Sequence, residues 1–325
     1  MTVSVKPRPF RYSHTVGLLA VTGRGFSNPV DLALGKNGLV YVLNRSNSFQ
    51  APMGAVRVTI CTLDEEYVGQ FSGFGEEDGL LVWPTSIAID SHGNIYVSDE
   101  HRHDVQVFGP DHTFVRKWGG HGSGDGQLDR PSGLAVDGDH NVFVVDHMNN
   151  RICKFSSGGE LLGRWGAAGS GPGEFNLPWG ACVDKDGRVY VADWRNDRVQ
   201  QFTNDGGYLA TFGTSGSGDG QLRRPANVAV DEEGNVYVAD WGNERLTVFS
   251  ALGFPLTTMI GDSEMSKWGA EYLEANADLV GGRKIMHDGT PEKRLFGPTA
   301  VEVDDLGRVI IVDNCRHRLQ VYEKV

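Results

Sequence analysis

Residues 224–249 read RPANVAVDEEGNVYVADWGNERLTVF, and this pattern recurs along the chain. Further copies align with it without gaps at residues 83–108, 130–155, 177–202 and 297–322. A partial copy, NPVDLALGKNGLVYVLN, occupies residues 28–44. A spacing of 47 residues separates the prolines that open four of the copies, Pro84, Pro131, Pro178 and Pro225. A constant period of this length indicates a repeat architecture.

Each copy predicts one blade of a β-propeller. Three short runs rich in β-branched and aromatic residues are separated by turn signals, and a fourth run follows, such as YLATFGT at 208–214. Four strands per repeat are typical of a propeller blade. The predicted fold is therefore all-β, a six-bladed β-propeller that forms a single domain over residues 1–325.

The two ends of the chain are predicted to close the ring together. The last copy stops after its third strand, whereas residues 14–22, HTVGLLAVT, read as a strand without a blade. We therefore expect this N-terminal strand to complete the C-terminal blade. Closure of this kind removes the open sheet edges through which β-proteins aggregate.

The pattern P-x-x-[IVL]-A-V-D-x-x-G-x-[VI]-[YF]-V-x-D-x-x-N-x-R-[VIL] resembles the NHL-repeat family over essentially the whole chain. That family includes protein- and RNA-binding propellers, extracellular sensor domains and peptidyl-α-hydroxyglycine amidating lyases, so the resemblance implies a fold and leaves the function open. The amidating lyases place metal-binding histidines directly after the blade proline. None of the corresponding residues here is histidine, which disfavours the same zinc site: Val30, Thr85, Ser132, Trp179, Ala226 and Thr299.

Charge and composition exclude several classes of partner. The net charge of −12 repels polyanions, so we expect no nucleic-acid partner. No uncharged run is long enough to span a membrane and no apolar run follows the basic N-terminal residues, so we expect a soluble, cytoplasmic protein without a membrane partner. The cysteines lack any paired spacing, which favours free, buried thiols: Cys61, Cys153, Cys182 and Cys315.

Two insertions interrupt the repeat, at about 44–55 and 262–297. The first follows a second strand and the second connects two blades, and both positions are predicted on one side of the disc, the top face. Within the second insertion, residues 263–279 read as a helix with Ser263 as its cap. Long loops in a compact fold are commonly binding elements, so the top face is the predicted functional face.

Positions that differ between blades mark the candidate site, whereas recurring positions mark the scaffold. Six residues directly after the end of the second strand should ring the mouth of the central channel: Arg45, Glu100, His147, Trp194, Trp241 and Asn314. Six residues at the start of the inner strand should lie nearer the axis: Asp31, Ser86, Gly133, Gly180, Asn227 and Ala300. The recurring Asp and Arg, such as Asp193 and Arg198, are expected to pair within each blade.

One divalent metal ion, zinc or calcium, is a predicted cofactor, and no nucleotide or organic cofactor is expected. Its candidate ligands are His147, His101, His103 and Asp31, since imidazole and carboxylate groups suit such ions. There are two alternatives. One is a calcium site formed by Asp31, Asn227 and Glu100. The other is that the histidines are solvated loop residues that bind no metal.

The first functional hypothesis is a small-molecule enzyme, a metal-assisted lyase or hydrolase, with its site at the top of the channel. Its predicted catalytic residues are Glu100, His147, Arg45 and His101. Its predicted substrate-binding residues are Trp194, Trp241, Trp179, Asn227, Arg195 and His287. The alternative is an interaction scaffold whose top face binds a protein or peptide, because exposed Trp and Arg are common hot-spot residues. A third interpretation is that the second insertion partly buries Trp179, Trp194 and Trp241.

Overall fold

The computed structural model describes residues 10–46, 55–276 and 290–325. These residues form six four-stranded antiparallel sheets, which are the blades. The first strand of each blade contacts the first strands of both neighbouring blades, so the blades close into a ring. The prediction of an all-β, six-bladed propeller is confirmed.

The strands of each blade run in order from the axis to the perimeter. Blade 1 comprises Pro29–Leu34, Leu39–Asn44, Arg57–Thr62 and Tyr67–Phe71. Blade 2 comprises Pro84–Ile89, Ile95–Asp99, Asp104–Phe108 and Phe114–Gly119. Blade 3 comprises Pro131–Val136, Val142–Asp146, Arg151–Phe155 and Leu161–Trp165.

The second half of the ring has the same order. Blade 4 comprises Ala181–Val183, Val189–Asp193, Arg198–Phe202 and Tyr208–Phe212. Blade 5 comprises Pro225–Val230, Val236–Asp240, Arg245–Phe249 and Pro255–Met259. Blade 6 comprises Pro298–Val303, Val309–Asp313, Arg318–Lys324 and Phe10–Val16. A short parallel pair, Thr214–Ser215 with Gln221–Leu222, lies in the connection between blades 4 and 5.

The N-terminal strand closes the ring, as predicted. Phe10–Val16 pairs antiparallel with Arg318–Lys324, with Phe10 opposite Lys324 and Val16 opposite Leu319. Val16 is fully buried in a hydrophobic cluster between blades 6 and 1. The strand begins four residues earlier than the predicted run 14–22 and ends before Gly17, where the chain crosses to blade 1.

The hydrophobic core lies between the blades. Each cluster of buried side chains in the described residues joins two neighbouring blades, and one example joins Tyr96 and Val105 of blade 2 to Val144 of blade 3. The alternation along each strand sends successive side chains to opposite neighbours. Burial of this kind, at about 25 cal/mol per Å² of apolar surface, makes each blade depend on the next.

Two glycines allow the inner strands of blades 3, 4 and 5 to approach closely. A Cβ atom at Gly133 would lie 2.6 Å from the carbonyl oxygen of Trp179, and one at Gly180 would lie 2.5 Å from that of Ala226. The Gly133 N–H also donates a hydrogen bond of 2.7 Å to the Trp179 oxygen. Only glycine fits at these two positions.

The recurring Asp and Arg form structural pairs, as predicted. Arg198 Nε lies 2.9 Å from Asp193 Oδ2, and the same pairing occurs in blades 3, 5 and 6. The guanidinium also donates to the carbonyl oxygens of Ser170, Gly171 and Glu174 in the preceding glycine-rich connection. Blade 2 departs from the template, because it has Asp104 at the arginine position and Arg102 at the asparagine position. There Arg102 Nε lies 3.2 Å from Asp104 Oδ2.

The described part of the second insertion packs on the outer wall of the ring. Its helix, Lys267–Ala275, has Ser266 as N-cap, so the prediction of Ser263 is wrong. The carboxylate of Glu65 accepts the backbone N–H groups of Lys267 and Trp268 at 2.5 and 2.9 Å, and the Trp268 ring is fully buried between blades 6 and 1.

The expectation that the second insertion lies over the top face stays a prediction, because only part of the insertion is described. In residues 262–276 the insertion contacts the outer strand of blade 6 and the last turn of blade 1. Residues 47–54 and 277–289, which include the tips of both insertions, lie outside the described residues. The next described element is a short helix, Thr290–Lys293.

The four cysteines are free, and two of them, Cys61 and Cys153, are buried as expected. Cys182 is half-buried and Cys315 is exposed, which corrects the expectation of four buried thiols. No helix within the described residues is long and apolar enough to cross a membrane.

Candidate functional site

The end of the second strand directs side chains towards the mouth of the channel. In blades 4, 5 and 6 the residue after the strand begins a single 3-10 turn: Trp194–Asn196, Trp241–Asn243 and Asn314–Arg316. Each turn ends in a left-handed residue that returns the chain to the third strand, such as Asp197 with φ 53°. The buried Asp before each turn accepts a backbone N–H of the preceding connection between blades, as Asp193 accepts that of Asn176.

Arg45, Trp83 and Glu100 form one side of the mouth. The Arg45 guanidinium lies over the Trp83 ring, 4.8 Å from its centroid. Its Nε is buried and has no hydrogen-bond partner among the described residues. Burial lowers the pKa of Arg45, and the negative charge of Glu100 opposes that shift. Burial likewise raises the pKa of Glu100, and Arg45 and Arg130 oppose that shift.

His147 lies on the adjacent side of the mouth and is 7% exposed. Its Nδ1 is 2.9 Å from the carbonyl oxygen of Pro178. A carbonyl oxygen only accepts hydrogen bonds, so Nδ1 carries the proton and the neutral ring keeps a lone pair on Nε2. Burial lowers the pKa of His147, and the hydrogen bond to Pro178 opposes that shift. Burial therefore favours the neutral form of His147.

An aromatic wall continues from His147 around the mouth. The Trp179 ring meets the His147 ring edge-on at 5.0 Å, and the Trp194 ring follows at 6.4 Å. The guanidinium groups of Arg195 and Arg224 lie 5.6 and 5.1 Å from the Trp194 ring centroid. Cations over aromatic faces are attracted by the ring quadrupole, so this wall combines apolar surface with positive charge.

The positive charge of Arg130 lowers the pKa of both Glu100 and His147, so Arg130 couples the Glu100 side of the mouth to the His147 side. The sequence reasoning missed Arg130, Trp83 and Arg224, which all stand directly before a blade proline. The signal was available, since this position also differs from blade to blade: Asn28, Trp83, Arg130, Leu177, Arg224 and Gly297. We call Arg45, Glu100, Arg130, His147, Trp179 and Trp194 the mouth cluster.

Asp31 lies deeper, between the inner strands of blades 1 and 2. Its carboxylate accepts hydrogen bonds from Ser86 Oγ at 2.6 Å and from the N–H groups of Ile87 and Leu32 at 2.9 Å each. Burial raises the pKa of Asp31 to about 6, and these hydrogen bonds oppose the shift. Ser86 Oγ in turn accepts the Leu134 N–H at 3.0 Å, so Asp31 joins three inner strands.

Glu302 is a second channel carboxyl group that the sequence reasoning missed. Burial, followed by the charge of Asp31, raises the pKa of Glu302 to about 8. Burial raises the pKa of the Cys182 thiol well above its ordinary value, and the negative charge of Glu302 adds to that shift. The signal was a template position with alanine in four blades, at Ala33, Ala88, Ala135 and Ala229.

The structure does not gather the predicted metal ligands. Within the described ranges, two groups of three potential ligands have all ligand atoms within 4.8 Å, and neither contains His147, His101 or Asp31. His103 belongs to one of them, with His121 and Asp129. Its Nδ1 accepts the backbone N–H of Arg130 at 3.0 Å, which is a scaffold bond.

The positions after the blade prolines do not fit the zinc site of the amidating lyases. Ser132 Oγ donates to the carbonyl oxygen of Trp179 at 2.7 Å, and Thr85 Oγ1 donates to that of Pro131 at 2.9 Å. These side chains connect neighbouring blades. No step of the proposed chemistry is assigned to a metal at these positions.

The remaining predicted residues stand apart from the mouth cluster. Trp241 is 38% exposed, and its indole nitrogen lies beside Gly297 at the junction of blades 5 and 6. Asn227 is half-buried on the inner strand of blade 5. His101 is exposed, with its backbone N–H bonded to Asp99, and Asn314 Nδ2 donates to the Pro29 oxygen. His287 lies outside the described residues.

The NHL repeat family matches the chain in five segments, residues 81–108, 128–155, 175–202, 222–249 and 297–322. Each segment covers the first three strands of one blade, from blade 2 to blade 6, the last as far as Tyr322. The chain is an NHL-repeat β-propeller. Blade 1, whose second strand ends at Asn44 where the other blades have Asp, lies outside the matched segments.

Solved structures similar to this NHL-repeat propeller include two lyases. A streptogramin B lyase matches with a TM-score of 0.58 and 11% identity, covering 97% of each chain. Virginiamycin B lyase from Staphylococcus aureus matches with a TM-score of 0.58 and 10% identity, covering 98% of this chain and 100% of that one. At this identity the likeness shows the fold alone.

A protein of unknown function from Bacteroides thetaiotaomicron VPI-5482 also matches, with a TM-score of 0.58 and 18% identity. The match covers 98% of this chain and 72% of that one. No curated protein sequence matches this chain significantly.

Proposed function

We propose that the mouth cluster is the active site of a small-molecule enzyme, a lyase or hydrolase that acts on an anionic substrate. The observation that carries this proposal is His147, a buried imidazole whose Nδ1 is held by the Pro178 oxygen. The Nε2 lone pair has no hydrogen bond with any described residue, so it is available to remove a proton.

The arginines support an anionic substrate. Arg45, Arg130, Arg195 and Arg224 follow one another around the mouth of a protein whose net charge is −12. A guanidinium group matches a carboxylate or phosphate with paired hydrogen bonds, and Arg45 Nε has none in the described residues. We assign Arg45 to the substrate anion and the Trp179 and Trp194 rings to its apolar part.

In an elimination, Nε2 of His147 takes a proton from carbon and becomes an imidazolium. The electron pair of the broken C–H bond forms a double bond, and the leaving group departs with the pair from its own bond. In a hydrolysis, Nε2 instead takes the proton of the attacking water. Elimination is favoured because the similar structures include lyases, and one contains an inactive histidine-to-alanine variant of virginiamycin B lyase with quinupristin.

Turnover tests the proposal most simply. The protein and the variants His147→Gln and His121→Gln are incubated with a pool of small anionic metabolites, and masses are followed. We expect the wild type and the His121 control to consume at least one compound, with His147→Gln slower by at least about 100-fold. Product masses that sum to the substrate mass indicate a lyase, and a gain of one water indicates a hydrolase. Equal consumption by the His147 variant, or none by the wild type, contradicts the proposal.

A divalent metal at the mouth stays a prediction, and elemental analysis of the wild type and the His147 variant tests it. The scaffold function also stays a candidate because Trp241 and Arg195 are exposed on the top face. Selection of peptides on the immobilised protein distinguishes the two functions: a scaffold predicts peptides whose binding is lost in Trp241→Ala while turnover is absent.

A further inference from the structure

A second cluster of histidines lies on the bottom face, opposite the mouth. It is formed by the hairpins between the first and second strands of blades 2 and 3, and it contains Asp90, His92 and His140. The two imidazole rings stack with centroids 4.1 Å apart, and His140 Nδ1 is 3.9 Å from Asp90 Oδ2. The ligand atoms of all three lie within 4.8 Å of one another.

His140 occupies a position where the scaffold calls for glycine. The corresponding residues in the other five blades are glycines with φ between 74° and 88°: Gly38, Gly93, Gly187, Gly234 and Gly307. His140 adopts the same left-handed region, with φ 63°. Histidine is among the residues that tolerate this region, and His112 adopts it in another turn with φ 67°.

The His140 ring also lacks a partner where it needs one. Its Nδ1 is buried and has no hydrogen bond with any described residue. Buried polar atoms are nearly always satisfied, and each exception calls for an ion, a water or a functional role. The unsatisfied Nδ1 of His140 therefore points to a ligand at this hairpin.

Asp90 is fixed beside this nitrogen. Its Oδ1 accepts the N–H groups of His92 and Asn94, and its Oδ2 accepts Asn94 Nδ2 and the Tyr96 hydroxyl. The pocket therefore presents a rigid negative charge next to two imidazoles.

We propose that Asp90, His92 and His140 bind one divalent transition-metal ion, with Zn²⁺ as the favoured ion, and that this ion joins blades 2 and 3. Two imidazoles and a carboxylate are a common donor set for zinc, with ligand distances of about 2.0–2.2 Å. Two donors of a tetrahedral ion at these distances lie about 3.4 Å apart, so the 3.9 Å between Asp90 Oδ2 and His140 Nδ1 has to shorten by about 0.5 Å on binding. His92, on the exposed hairpin, supplies the third donor.

The other histidine group, His103, His121 and Asp129, provides a matched control. His103 Nδ1 accepts the Arg130 N–H, as His317 Nδ1 accepts the Asn28 N–H at 2.9 Å in blade 6. That nitrogen is engaged in the scaffold, whereas His140 Nδ1 is not. We therefore assign the metal to the bottom face and not to this group.

Zinc retention and melting test the site in the full-length protein. The wild type is loaded with ZnCl₂, desalted, and analysed for bound metal, alongside His92→Ala, His140→Gly and His121→Ala. We expect about one zinc per chain and a higher melting temperature with zinc for the wild type and for His121→Ala. His92→Ala and His140→Gly should bind zinc at least about tenfold more weakly, since even outer partners of metal ligands cost that much.

The His140→Gly variant separates metal binding from folding. Glycine restores the residue that the five other blades carry, so the metal-free variant should melt at a higher temperature than the metal-free wild type, and zinc should no longer raise it. Zinc retention that survives in both bottom-face variants, or that is lost in His121→Ala, would overturn the assignment, as would a wild type that retains none. Because the mouth cluster is on the other face, this outcome does not depend on the proposed function.

Discussion

Single side chains that depart from the repeat mark the sites of this molecule. Glu302 replaces the alanine found in four other blades, and His140 replaces a glycine. Both are costly in the fold, since one places a carboxyl group in the channel and the other places a side chain in a left-handed turn. In a repeat protein, such exceptions are more informative than the residues that recur.

Glu302 predicts a pH dependence of stability. Its pKa is about 8 in the folded protein, against an ordinary value of 4.5, so the native state binds a proton that the unfolded state releases above pH 4.5. Stability from this group is present at low pH and is lost as the pH rises through about 8. Urea unfolding at pH 6 and pH 9 should show that Glu302→Gln loses less free energy of unfolding than the wild type.

The exposed acid Glu232 is the control for that measurement. Glu232→Gln removes the same charge from the surface of blade 5, so its loss of stability between pH 6 and pH 9 should match that of the wild type. Identical losses for Glu302→Gln and the wild type would show that Glu302 is not protonated in the folded channel.

At the scale of elements, the helix Lys267–Ala275 packs on the outer wall of the ring and contacts blades 6 and 1. Its position could not be predicted, because the sequence locates only where the insertion leaves the repeat and not where it packs. Three hydrogen bonds to Glu65, two from backbone N–H groups and one from the Trp268 indole to the Glu65 carbonyl oxygen, determine that position. The partner turn lies about 200 residues earlier in the sequence.

Trp268→Ala should destabilise the protein by about 3–5 kcal/mol, because it removes a fully buried indole from the cluster between blades 6 and 1. Tyr272→Ala on the same helix is the control, since Tyr272 is 50% exposed and should change stability by less than about 0.5 kcal/mol. Chemical denaturation measures both. Equal effects of the two substitutions would mean that the helix is not anchored through Trp268.

At the scale of the whole molecule, the repeat made the blades, their number and the closure of the ring predictable. Strand ends and the ring of mouth positions followed from the same template, from which Arg45, Glu100 and His147 were selected as candidates. Arg130 and Arg224 were missed because they belong to connections between blades, whose side-chain directions depend on left-handed turns. Within the described residues, the candidate metal ligands His147, His101 and Asp31 do not form a group of three neighbouring ligand atoms, because similar positions in a repeat can lie at similar heights without being close together.

Ring closure has its own test. Val16→Asp places a charge in the fully buried end of the N-terminal strand and should release that strand from blade 6, with loss of the cooperative melting transition. Leu19→Asp is the control, because Leu19 is 59% exposed just beyond the strand and tolerates a charge. A Val16→Asp protein that melts like the wild type would contradict closure by this strand.

The central claim is that the mouth cluster binds a small anion, and calorimetric titration with a panel of carboxylate- and phosphate-bearing compounds tests it most directly. The account predicts that at least one compound binds the wild type and the bottom-face variant His140→Gly equally. It predicts at least about tenfold weaker binding to Arg45→Met, which removes the guanidinium group and keeps the apolar stem. Binding that is unchanged in Arg45→Met, or a wild type that binds none of the panel, would contradict it.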